Sequence, residues 1–65
     1  MVVKVIELMA SSEKSWDDAA KKAVEKASKS VNNIKSAWVK DQSVLVKDNK
    51  ISEFRVTMKL TFGID

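Results

Sequence analysis

Cysteine and histidine are both missing from these 65 residues. Their absence excludes disulfides, thiolate metal sites, imidazole ligands and both Ser-His-Asp and Cys-His catalysis. The single glycine, Gly63, stands near the far end of the chain, which rules out a glycine-rich loop cradling a phosphate. No apolar run is long enough to span a membrane. The opening MVVKVIELMA is too short for a signal peptide and is broken by Lys4 and Glu7. A soluble cytoplasmic protein without a membrane partner is expected. Among the acids, Glu7, Asp17, Asp18, Asp41, Asp48 and Glu53 are hard oxygen ligands, but no calcium-loop pattern connects them. A calcium site would have to be assembled between elements or subunits. No nucleophile and base stand in a recognisable constellation, so no enzyme is expected.

A chain of this length forms one domain, residues 1–65, that hides only about 60% of the surface its unfolded form exposes. Small chains of this kind lean on disulfides, metals or partner subunits, and here self-association is the support that remains. The net charge is +3 and the isoelectric point near 9.3. The lysines fall mostly on a segment that also carries acids. A solvated helix face explains them, and no basic stripe interleaved with aromatics argues for nucleic acid.

That segment is SWDDAAKKAVEKASKSVN, Ser15 to Asn32. Trp16, Ala19, Ala20, Ala23, Val24, Ala27 and Val31 recur at steps of three and four, the spacing of one helical stripe. Ser15 is placed to cap it, with Asp18 in an approximate capping box. Asp17 and Asp18 at the start and Lys29 near the end complement the helix dipole. Asn32 and Asn33 are expected to close it after about 17 residues, because Asn tolerates the left-handed conformation of a C-cap. A stripe made mostly of alanine implies that a sheet approaches closely.

Val2 to Met9 reads as a strand, with Ile6 and Leu8 on one face and Val3, Val5 and Met9 on the other. Ala10 to Lys14 then form a polar connection. Ile34 to Lys47 is a long second strand whose inward parity switches between Ala37 and Val39 on one side and Val44 and Val46 on the other. A bulge across Lys40, Asp41, Gln42 and Ser43 is the simplest cause. Asp48, Asn49 and Lys50 supply a hairpin turn, with Asn49 at positive φ. From Ser52 to Phe62 the chain alternates without fault, Phe54, Val56, Met58, Leu60 and Phe62 facing inward. The fold class is α+β in the order β-α-β-β: a three-stranded antiparallel sheet curled around one helix. One helix covers one face of such a sheet. Val3, Val5, Met9 and Trp38 are left on the other, which argues for an oligomer.

The stretches KVIELMASS, SWDDAAKKAVEKASKSVNNI, AWVKDQSV and FRVTMKLTF, in this order and spacing, resemble the dodecins, a family of small flavin-binding proteins. The resemblance runs from Val3 to Phe62 without a gap. It implies twelve subunits assembled into a hollow shell, a homododecamer, with ligand sites between neighbours. It also exposes departures. Flavin-binding dodecins carry a stacking tryptophan where this chain has Ser36, and a flavin-contacting glutamine where it has Arg55. Many have glycine where it has Ala10. In the replacement of both flavin contacts the chain is similar to a minority branch of the family that lacks the stacking tryptophan, which includes a calcium dodecin.

Four residues are therefore candidates for a ligand site. Trp38 lies two residues beyond Ser36 on the same outer face and offers a ring for stacking on a planar molecule. Arg55, also outward, suits a ring face or a phosphate. Gln42 sits at the expected bulge. Against these readings, Trp38 suits a subunit interface, Arg55 an ion pair with Glu53 or Glu7, and Gln42 a simple bend. Trp16, at a stripe position, is read as packing. Two functions follow: a non-catalytic shell that sequesters flavin (riboflavin or FMN), or a flavin-less structural shell that holds an ion such as calcium.

Overall fold

The computed structural model describes residues 1–64. Its elements follow in the order β1 (Val3–Ser12), α1 (Trp16–Ala27), β2 (Ile34–Lys47) and β3 (Lys50–Gly63). This is the β-α-β-β chain expected from the sequence. The strands form one sheet in the order β1-β3-β2, with β3 antiparallel to both neighbours. β1 and β2 consequently run parallel on either side of β3. Parallel strands cannot be joined by a tight turn, and α1 provides the crossover on one face.

That face is built from the even positions of β1 and β3. Leu8 lies opposite Met58 and Ala10 opposite Val56, and Ala19 and Ala23 of the helix close over them. Val56, Met58, Leu60, Ala19 and Ala23 are buried. Alanine on the helix side lets its backbone come close to the sheet, so the core is formed by small residues against larger ones.

The helix begins as the sequence predicts. Ser15 Oγ accepts the Asp18 N–H at 2.9 Å. Asp18 does not complete a capping box. Its carboxylate instead accepts from the buried Ser12 hydroxyl at 2.5 Å and pairs with Lys22 at 3.1 Å. The Ser12 hydroxyl, then Lys22, hold the Asp18 carboxyl below its ordinary pKa. Trp16 sets its ring edge-on to Phe54, centroids 5.1 Å apart, and its Nε1–H donates to Ser43 O at 3.0 Å. The start of α1 is thereby fastened to both strands of the hairpin.

Four boundaries or orientations differ from the sequence reading. The helix has 12 residues instead of about 17. Ser28 ends it: its Oγ donates to Glu25 O, and the next N–H, of Lys29, bonds Lys26 O in a tightened last turn. Serines that bond nearby backbone compete with helix continuation. Asn33 does adopt φ 68°, but in the connection to β2 and not as the helix cap. β1 continues through Ala10, Ser11 and Ser12, which pair with Val56, Arg55 and Phe54; pairing with a long partner overrode their polar composition.

Val46 is the fourth. It lies opposite Ile51, an odd position of β3, and is 64% exposed. A register shift between Leu45 and Val46 turns it away from the inner face. The shift expected near Lys40 is present between Val39 and Asp41, and a further one separates Ile34 from Ser36. Asp48 and Asn49 both take positive φ, 54° and 62°, the geometry of a tight two-residue hairpin turn. At the other end, a side chain on Gly63 would place its Cβ 2.6 Å from Asn33 Nδ2.

A 14-residue strand spans about 46 Å, and the subunit is 48 Å long. The 12-residue helix spans only about 18 Å. Much of the hairpin therefore extends past the helix, and Val39, although on the inner face opposite Met58, is 43% exposed.

Candidate ligand-binding face

Residues directly opposite one another in an antiparallel ladder share a face. The registers thus define rows across the outer side of the sheet. Val5, Thr61 and Ser36 form one row, Glu7, Lys59 and Trp38 the next, then Met9, Thr57 and Asp41, then Ser11, Arg55 and Ser43. Rows follow at about 6–7 Å, two residues of strand.

Ser36 and Trp38 are neighbours on this face. Trp38 is 45% exposed, and the Ser36 hydroxyl lies 2.6 Å from that of Thr61. Arg55 is on the same face but two rows beyond Trp38, about 13 Å along the strand. It lines a depression of about 280 Å³ with Met9, Ala10 and Ser11, and among the described residues it makes no ion pair. Glu53, one of its anticipated partners, accepts from Ser11 Oγ at 3.3 Å. Glu7, the other, binds Lys40 Nζ at 3.2 Å. Gln42 lies opposite Val56, hence on the helix side of the sheet, away from the other three. A subunit taken alone does not bring the four candidates together.

The sequence reading missed the Glu7–Lys40 pair, which crosses over β3 beside Trp38. The extra residue of the bulge is Lys40, and a bulge re-aims side chains. The signal was available once the parity switch was noticed, but the partner strand was not. Among the described residues no three carboxylates converge as a metal site would require. No helix among them is long and apolar enough to cross a membrane.

A split β-α-β-β subunit with a helix over one face and a partly apolar, uncovered second face defines a small α+β module. The family model for dodecins matches residues 2–65, and the chain belongs to the dodecin family. It is 34% identical over 61 residues to calcium dodecin from Mycobacterium tuberculosis, covering 94% of this chain and 86% of the relative. The crystal structure of a calcium-chelating calcium dodecin from the same organism, described as having a novel calcium-binding site, superimposes with a TM-score of 0.87. Identity there is 35%, with 100% of this chain and 93% of that one covered. Dodecin from Streptomyces davaonensis is 25% identical, with a TM-score of 0.94 over 98% of this chain and 94% of its own.

Proposed function

We propose that this chain is the subunit of a homododecameric shell that sequesters a planar flavin-type ligand, riboflavin or FMN, between subunits and performs no reaction on it. The observation that carries this reading is Trp38, a large aromatic side chain left 45% exposed on the outer face of the edge strand β2. Stacking of a ring on an indole adds about 0.5–1.5 kcal/mol to the area buried. The edge of a flavin ring also requires polar partners. The paired hydroxyls of Ser36 and Thr61 and the ammonium of Lys59, opposite Trp38, are of the right chemistry. Arg55, standing farther off without an ion pair among the described residues, suits a phosphate.

The uncovered apolar surface supports the same reading. Val3, Val5, Met9 and Trp38 expose apolar surface on one side of the sheet, which a neighbouring subunit would cover.

A second reading is a shell that holds calcium and no flavin. It is favoured by the identity to calcium dodecin and by Ser36 and Arg55 standing where the resemblance implies tryptophan and glutamine. Since no three acids converge within the described residues, calcium would take carboxylates from more than one subunit.

Riboflavin and FMN fluorescence, titrated with wild type and Trp38→Ala, separates the two. Quenching by wild type that is lost in the variant supports flavin sequestration on Trp38. No quenching, together with heat released on calcium addition, supports the second reading.

A further inference from the structure

The helix side of the sheet carries a second concavity, which meets the outer depression at Met9 and Ala10. A slot of about 450 Å³ opens between α1 and β1, within the usual range for small-molecule sites. One wall is the alternating set Ile6, Leu8 and Ala10 of β1. The other is Ala23, Ala27 and Val31, spaced by four and so aligned along one side of the helical path. That path persists past the end of α1, because the Val31 N–H still bonds Ala27 O at 2.9 Å. Eight residues at helical rise make the slot about 12 Å long. It opens beyond Ala23, which packs in the core with Leu8 and Ala10, where Ala27, only partly buried, is too short to fill the gap to the strand.

Its rim has one sign of charge. Lys22, Lys26 and Ser30 form the adjoining row at the same spacing, and no acid lines the slot. Lys22 is paired with Asp18, whereas Lys26 has no carboxylate partner among the described residues. An apolar trough edged by a spare ammonium is complementary to a molecule with an alkyl body and an anionic head. The geometry points to a binding site for a medium-chain carboxylate, its chain lying between Ile6, Leu8, Ala23 and Ala27. Its head group lies at Lys26, in the last turn of α1, where a full ammonium charge outweighs the partial negative charge of the exposed carbonyls.

Octanoate, with 1-octanol as its uncharged counterpart, is titrated calorimetrically into the full chain in its native assembly, and sedimentation follows the assembly throughout. Octanoate should bind more tightly than octanol. Lys26→Glu should weaken octanoate about fivefold, as befits a solvent-exposed ion pair, and leave octanol unchanged. Ala27→Leu, which fills the slot with a good helix former, should abolish both. The proposal is overturned if folded wild type binds no octanoate, or if octanoate and octanol bind alike and ignore Lys26→Glu. It is equally overturned if octanoate breaks the assembly apart, because the slot then belongs to a second copy of the chain. Flavin binding is read at Trp38, which does not line the slot, so either site can fail without the other.

Discussion

The hydroxyl of Ser36 lies 2.6 Å from that of Thr61, tying the edge strand β2 to the centre strand at the position where the resemblance implies a stacking ring. Trp38, one row away, is the aromatic group this face does present. Replacing the hydroxyl by an indole therefore tests what the family position contributes. Ser36→Trp should tighten riboflavin binding about two- to tenfold, the equivalent of one aromatic stack. Loss of an exposed hydrogen bond should cost about 1 kcal/mol or less of stability. Fluorescence titration measures the first and urea denaturation the second. Equal affinity in wild type and variant would show that the ring position no longer belongs to the site.

Trp16 makes its indole hydrogen bond to Ser43 O at 3.0 Å in addition to its edge contact with Phe54. Trp16→Phe preserves a ring and removes the donor. The expected loss is about 0.5–1.5 kcal/mol, read as a lowered urea midpoint with unchanged slope at fixed protein concentration. A variant as stable as wild type would mean that the indole N–H is equally well served by water.

Asp18 supplies a pH dependence whose sign is determined by its partners. The Ser12 hydroxyl and Lys22 lower its folded-state pKa, so its contribution is present above the ordinary carboxylate value. It is lost as pH falls through the depressed folded value. Asp18→Asn should therefore be less stable than wild type near neutrality, and the difference should close in strong acid. Urea midpoints of both proteins across that range check the prediction, and a gap that persists at the acid end would contradict it.

Ala19 is fully buried, at 0% exposure, against Val56 and Met58. Ala19→Leu inserts atoms where helix and sheet already touch and should cost about 1–3 kcal/mol. Ala20→Leu, one position round the helix and only partly buried, should cost less. Chemical denaturation of the pair distinguishes close packing from mere apolarity: equal losses would argue against a tight seam at Ala19.

Much of this fold was legible because period and composition act locally. The alternation from Phe54 to Phe62 and the alanine stripe from Ala19 to Ala27 state which side of each element is inward, whatever it packs against. Ser15 as a cap needed only Asp18, three residues away. The helix end was misread because Ser28 bonds its own preceding turn, and a stripe extending to Val31 gave no hint of it. Val46 was misread because its orientation follows a register shift opposite β3, which one strand's pattern cannot reveal. The candidate site was legible only in part. The two-residue step from Ser36 to Trp38 places them on one side, but the 13 Å offset to Arg55 and the turning of Gln42 to the helix side depend on how β2 is registered against β3.

The chain by itself determined that there would be one helix, three strands, a bend near Lys40 and apolar residues to spare, since side-chain spacing and turn chemistry are written in consecutive residues. Only the tertiary structure decided that β3 lies in the middle, that Lys40 meets Glu7 across it, and that a slot opens beside Ala27. These are relations between residues distant in sequence, and strand pairing is what brings them within reach.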